Sequence, residues 1–225
     1  MAKVKFGMFM TDARGKVGGH VLSKNRGGSF VRTKVTPANP RTASQAQARS
    51  RLANNSSAWS ALEEEQRVKW NEAVVSYQKT DVFGDLRKPT GKNLFTGLNA
   101  NLQLIERQAI VMPENPVALI DPVELAFVDL SSGSMEIANF PVVENQKYVI
   151  MASPAMSAGT FNFSGKFKVI KITTGTATTM EISTEYIAKF GAFIPGQKIA
   201  IKMFVVSTIT GQKSSGVVIS QIVAS

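Results

Sequence analysis

Polar and apolar residues alternate along most of the second half of the chain, in short runs separated by turn-forming residues at intervals of about 8 to 15 positions. The alternation is clearest from Lys198 to Phe204. A period of two predicts β-strands that turn one face toward a core. Seven strands are expected, over residues 123–128, 134–139, 147–152, 167–173, 179–183, 198–207 and 216–223. Strands at this spacing predict an antiparallel β-sandwich rather than parallel βαβ units.

The middle of the chain has the longer period that is typical of amphipathic helices, and helices are predicted over about residues 43–54, 61–78 and 92–108. Thr42 stands three residues before Gln45, and Ser60 stands three before Glu63, which is the spacing of a helix-capping box. Thr90 precedes the third helix. Three amphipathic helices would form a small bundle, with two apolar stripes in its core: Leu62, Trp70, Ala73, Val74 and Tyr77 on the second helix, and Leu94, Phe95, Leu98, Leu102 and Ile105 on the third.

The first 35 residues consist of short apolar and cationic stretches divided by glycines. The residues from Asn25 to Gly28 suit a tight turn, so residues 21–24 and 30–34 are predicted to pair as a hairpin. These stretches contain too few large side chains to bury a core, and an isolated hairpin is marginal in water. We therefore expect this arm to be ordered mainly against another surface. Pro37 and Pro40 predict an extended linker after it.

Charge separates the same part of the chain from the rest. The formal net charge is +10, and the first 51 residues carry all of this excess because they hold a single acid, Asp12. All nine arginines precede Met112. We therefore predict an α+β multidomain protein with a basic Gly-rich arm (residues 1–41), a three-helix region (42–112) and a C-terminal β-sandwich (113–225). The cations that we expect to bind a partner are Lys3, Lys5, Arg14, Lys16, Lys24, Arg26, Arg32, Lys34, Arg41, Arg49 and Arg51.

The residue types that catalysis and metal binding need are scarce. The chain has no cysteine, and its one histidine, His20, has no acid nearby in sequence to orient it as a base. Glu63, Glu64 and Glu65 point about 100° apart on a helix and do not converge on one site. We predict that the protein is not an enzyme, holds no cofactor or metal ion and has no membrane-spanning segment.

Several residues in the first part of the chain form an ordered pattern: Gly7, Gly15-Lys16-Val17-Gly18-Gly19, Asn25-Arg26-Gly27-Gly28, Val31-Arg32, Pro37, Asn39-Pro40-Arg41-Thr42, Gln45, Arg49, Trp59, Leu62, Gln66-Arg67, Trp70 and Ala73. This pattern, which covers about the first 100 residues, resembles the opening of a group of poorly characterised proteins of tailed bacteriophages and prophages, notably of Bacteroidetes hosts.

The resemblance implies a structural component of a virion that is made in the host cytoplasm, either an auxiliary capsid protein or a head-tail connector protein. The arm would then bind other virion proteins of the capsid, portal or tail, or further copies of the chain in a symmetric assembly. The alternative is a DNA-binding protein that is packaged in the head or acts on phage DNA, because the basic arm also suits non-specific contact with phosphates.

A second resemblance lies near the C-terminus. Residues 193–199, followed by Ile201, Met203, Val205, Thr210-Gly211 and Ser214, are similar to the last hairpin of fibronectin type III domains. Ile199 stands where that family has its corner tyrosine, and the first strands contain no tryptophan. The resemblance therefore implies an immunoglobulin-like topology for residues 113–225 rather than a true fibronectin module.

Overall fold

The computed structural model describes residues 2–36, 38–39, 41–119, 125–131, 133–138, 143–174 and 179–224. Within these ranges the protein is of the α+β class, with four helices and 13 short strands that pair antiparallel. The chain divides into two compact units, Met1–Leu94 and Phe95–Ser225, and the division falls inside the third helix. The two linker prolines, Pro37 and Pro40, lie outside the described residues. The boundaries after residues 41 and 112 stay a prediction.

The beginning of the first unit forms a four-stranded sheet, here called the arm sheet. Its strands are β1 (Ala2–Lys3), β2 (Gly15–Val17), β3 (His20–Asn25) and β4 (Gly28–Thr33), in the spatial order β1-β4-β3-β2. Strands β3 and β4 pair with Leu22 opposite Val31, which confirms the predicted hairpin. No side chain from residue 2 to residue 36 is buried, so the expectation that this segment lacks a core of its own is also confirmed.

Helix α1 (Ala43–Ala61) begins where the sequence predicts, with the Thr42 hydroxyl accepting a hydrogen bond from the Gln45 N–H at 3.3 Å. It extends about two turns beyond the predicted end. Asn55 is its one buried residue, so the expectation that all three helices are amphipathic is wrong for α1. Its small and polar side chains favour a helix but offer no apolar stripe to bury.

Helix α2 (Glu64–Ala73) begins later than predicted. The capping pair of Ser60 with Glu63 is wrong, because the Ser60 hydroxyl donates to the Ser56 carbonyl inside α1. Glu63 stands at the cap instead, and its N–H donates to the Gln66 side chain at 3.0 Å. The predicted stripe is otherwise confirmed, since Leu62, Trp70, Val74 and Tyr77 are buried and Ala73 is half-buried. A short ribbon of β5 (Lys79–Thr80) and β6 (Leu86–Arg87) follows.

Helix α3 (Gly91–Leu104) starts after Thr90, whose hydroxyl accepts a hydrogen bond from the Asn93 N–H at 3.1 Å. Its apolar stripe is buried as predicted, at Leu94, Phe95, Leu98, Leu102 and Ile105.

All seven strands predicted for the C-terminal part are present in the second unit, although the predicted strand positions 123, 124 and 139 lie outside the described residues. One sheet has the order β10-β9-β12-β13 and the other the order β11-β8-β7. An eight-residue helix, α4 (Ser183–Phe190), was not predicted. The strands are β7 (Ala126–Leu130), β8 (Met135–Ala138), β9 (Gln146–Ala152), β10 (Lys168–Thr173), β11 (Thr179–Glu181), β12 (Lys198–Ser207) and β13 (Val217–Ile222).

The two sheets of the second unit share one apolar core. Ile137 and Met180 of the three-stranded sheet belong to the same buried cluster as Ile201 and Met203 of the four-stranded sheet. The reverse face of the four-stranded sheet carries a second cluster, in which Phe204 joins Leu102 of α3 and Ile105, which directly follows this helix. Strand β12 is therefore apolar on both faces and lies at the centre of this unit.

Candidate interaction surface

Two of the eleven predicted contact cations are engaged within the first unit, at the turn of the β5–β6 ribbon. Lys3 forms an ion pair with Asp81, and Lys5 with Asp85 at 2.7 Å. The Lys5 ammonium also lies 5.2 Å from the centre of the Phe83 ring, a cation–π contact. The hydrogen bond to Asp85 raises the pKa of Lys5 above its ordinary value. The β1 edge of the arm sheet is thus held by the ribbon.

Asp81 organises this contact. Besides the ion pair with Lys3, one of its oxygens accepts the N–H groups of Phe83 at 2.8 Å and Asp85 at 3.2 Å. The hydrogen bond from Lys3, and then that from the Phe83 N–H, hold the pKa of Asp81 below its ordinary value. Asp81 therefore stabilises the turn of the ribbon and also binds the Lys3 ammonium group of the arm sheet.

Three further predicted cations have local partners. Arg14 and Lys24 share the single acid of the arm, Asp12, at 3.4 and 3.7 Å. The Arg49 guanidinium donates to the Asn39 side chain at 2.7 Å. These contacts are exposed and contribute little to stability, but they reduce the charge that an incoming partner meets.

The remaining cations are available. Among the described residues, no acidic oxygen lies within 4.0 Å of the side chains of this last group: Lys16, Arg26, Arg32, Lys34, Arg41 and Arg51. The sequence predicted one contact set of eleven cations, and the structure divides it into five engaged side chains and these six.

Strand register places two of the six in one row. Lys16 pairs with Val21, and Val21 pairs with Arg32, so the three side chains lie on the same face of β2, β3 and β4. Lys16 and Arg32 are exposed and two strand spacings apart, which is about 10 Å. Lys34 directly follows β4, and its N–H still donates to the Gly19 carbonyl at 2.8 Å. Continued period-two alternation from Arg32 puts its side chain on this face as well. We call the face carrying Lys16, Arg32 and Lys34 the basic face.

The first unit also exposes apolar side chains that the sequence analysis missed. Met8, Phe9 and Met10 follow Gly7 in a turn and are 90, 100 and 52% exposed. Val82 is 83% exposed in the turn of the ribbon, next to the Asp81 that binds the arm. In a β-strand, three consecutive large apolar residues cannot all face the core. The run from Met8 to Met10 could therefore have indicated exposed apolar side chains from the sequence alone. Exposed apolar groups of this kind mark interaction surfaces.

The other candidate chemistry does not assemble into a site. His20 is exposed in β3. Across the described ranges, no group of three His, Cys, Asp or Glu residues could hold a metal ion. No helix in the same ranges is long and apolar enough to cross a membrane.

No protein-family model and no curated protein sequence matches the chain. One of the solved structures that it matches is a computationally redesigned β-sandwich protein, which is 9% identical. The match covers 48% of this chain and 98% of that one, with a TM-score of 0.33.

Proposed function

We propose that this chain is a structural component of a bacteriophage virion, an auxiliary capsid or head-tail connector protein that binds other virion proteins through its arm. The observation that carries the proposal is the arm sheet, which has four strands but no buried side chain between residues 2 and 36. A sheet of this size gains little stability from its own packing. Its faces are available for burial against a partner, and its unpaired cations favour an acidic one.

The virion setting comes from the resemblance of the first 100 residues to proteins of tailed phages and prophages. Within the same proposal, β7 to β13 form a C-terminal sandwich of immunoglobulin-like topology, and the arm and the helical region are separate domains. The shared core of the two C-terminal sheets supports the sandwich. The proposal gives the chain no catalytic role and places it in the virion, after synthesis in the host cytoplasm.

The experiment measures how much of the chain enters particles when the arm is changed. The variant Arg26→Glu/Lys34→Glu reverses two exposed cations that have no acidic partner among the described residues. The control Lys166→Glu/Lys189→Glu makes the same change in net charge at two exposed lysines of the second unit. We expect the arm variant to be depleted from gradient-purified particles and the control to enter normally. Normal entry of both would contradict the role of the arm.

The second candidate is a DNA-binding protein, and the charge of α1 favours it. This helix of 19 residues has two arginines and no acid, and it directly follows the arm. Binding to duplex DNA would then weaken with salt, with a log–log slope of about −0.9 for each phosphate neutralised. The variant Arg26→Glu/Lys34→Glu is expected to reduce the magnitude of this slope by about 2. A slope near zero for the unmodified chain would exclude this function.

A further inference from the structure

The outer face of the three-stranded sheet carries three carboxylates in one row. Asp129 of β7 pairs with Glu136 of β8, and Glu136 pairs with Glu181 of β11. Their sequence neighbours Leu130, Met135 and Met180 are buried in the core, so these three acids point the other way. We call Asp129, Glu136 and Glu181 the acidic row.

Lys171 lies at one end of the acidic row, where it donates to the Glu181 backbone carbonyl at 3.5 Å and pairs with Glu185 at 2.6 Å, but among the described residues no cation forms an ion pair with the three carboxylates of the row. The Ser131 hydroxyl donates to Asp129 at 3.3 Å and the Ser183 hydroxyl to Glu181 at 3.2 Å, but no Lys or Arg side chain lies within 4.0 Å of the three carboxylates. Like charges directly opposite each other destabilise a sheet. The row therefore gains stability when a cationic surface covers it.

Among the described residues, mostly small side chains lie beside the row. The next set of paired residues on this face is Ala126, Ala138 and Thr179, all of them small. The large side chain beside the row is that of Val128, which is 52% exposed at the irregularity between Phe127 and Asp129. The long side chains of lysine and arginine can reach across small residues to a carboxylate.

The basic face of the arm sheet is opposite in charge to the acidic row and has the same spacing between its charged groups. Lys16 and Arg32 lie two strands apart, as Asp129 and Glu181 do, and either distance is about 10 Å. We propose that the basic face of one copy of this chain binds the acidic row of a second copy. The occupant of the basic face is thus another molecule of the same chain. This inference goes beyond the proposed function and does not depend on it.

The two surfaces are different, and every copy carries both. Two copies can pair them reciprocally about a two-fold axis, or each copy can bind a different neighbour in a ring or filament. Lys16, Arg32 and Glu181 are exposed, and Asp129 and Glu136 are only half-buried. Salt therefore weakens the contact, with a Debye length of about 10 Å at 0.1 M and about 3 Å at 1 M.

The test uses the full chain and measures its molar mass by light scattering during size-exclusion chromatography, over a range of concentration and salt. Variant A is Lys16→Glu/Arg32→Glu and variant B is Glu136→Lys/Glu181→Lys. The control Lys166→Glu/Lys189→Glu repeats the charge change of variant A at exposed positions that belong to neither surface. Far-UV circular dichroism checks the folding of each variant, and Lys16→Gln/Arg32→Gln replaces variant A if that variant fails to fold.

We expect the unmodified chain and the control to form dimers or larger species at 0.1 M salt and to dissociate at 1 M salt. Variants A and B alone are expected to stay monomeric. An equimolar mixture of A and B is expected to associate again, because the new glutamates of A face the new lysines of B. A monomeric unmodified chain at every concentration would overturn the proposal, and so would association of A alone or failure of the mixture. Entry into particles by a chain that is monomeric in this assay would overturn this inference while leaving the proposed function intact.

Discussion

Gly211 is the position where one added methyl group tests the packing of the second unit most sharply. It lies between β12 and β13 with a φ of 71°, in the left-handed region. A Cβ atom there would overlap the Leu98 carbonyl group, coming within 2.9 Å of its carbon, and would lie 3.1 Å from the Leu102 side chain. The Asn101 side chain of α3 also donates a hydrogen bond to the Gly211 carbonyl at 2.8 Å, which holds the turn against the helix.

The expected loss of stability in Gly211→Ala has two parts. The left-handed backbone costs an alanine about 1 kcal/mol. The steric overlap adds about 1 to 3 kcal/mol, because Leu102 is fully buried and cannot move aside freely. The total is about 2 to 4 kcal/mol.

Gly196→Ala is the matched control. Gly196 has a φ of 77°, but a Cβ atom there meets nothing within 4 Å. The control should therefore lose only the backbone part, about 1 kcal/mol. Urea denaturation followed by far-UV circular dichroism compares the two, and we expect the midpoint of Gly211→Ala to lie about 1 M below that of Gly196→Ala. Equal midpoints for the two variants would refute the close approach of α3 to this turn.

Three further predictions concern polar groups. Asn99 is fully buried and exchanges two hydrogen bonds with the backbone of Ile110, at 2.8 and 3.2 Å. Asn99→Leu should therefore destabilise the protein by about 2 to 4 kcal/mol in the same urea assay, and an unchanged midpoint would contradict that pairing. Lys3 is the main cause of the lowered pKa of Asp81, so the stability that Asp81 contributes is complete above its unfolded pKa and is lost as the pH falls through its folded pKa. In Lys3→Gln, NMR titration should find the pKa of Asp81 closer to its ordinary value. An identical titration of Asp81 in the variant and the unmodified chain would contradict the ion pair. Burial raises the pKa of Tyr186 to about 12, so the stability of the protein should fall as the pH rises above about 10. Ultraviolet absorbance should show one phenol that ionises near pH 12. Ionisation of all three tyrosines at their ordinary pKa values would contradict the burial of Tyr186.

The strands could be predicted where the sequence pattern is local. All seven C-terminal strands were found because their alternation persists over several residues each, and the β12 prediction agrees with the structure at both ends. Helix α4 was missed although Ile182, Tyr186 and Phe190 stand four residues apart and are buried or half-buried. Eight residues give only two turns, and such a short helix is decided by tertiary packing more than by local preference.

The sequence predicted which cations belong to the candidate surface but not how they are arranged in space or which of them form ion pairs. The partners of Lys3 and Lys5 are Asp81 and Asp85, about 80 positions away, and no local pattern links residues at that separation. The row of Lys16 and Arg32 depends on the register of three strands, which the turn around Gly18 and the Asn25–Gly28 connection fix together. Sequence alone therefore indicated that the arm is cationic but not which of its cations remain available.

If this chain is built into a virion, as we propose, purified particles must contain it. Quantitative mass spectrometry of particles from a phage or prophage found to carry the gene would compare DNA-filled with DNA-empty heads and scale the chain against the major shell protein. The proposal predicts equal amounts in both kinds of head, in a ratio that fits a symmetric position. Loss of the chain together with the genome would favour the DNA-binding function, and its absence from both kinds of particle would contradict the virion assignment.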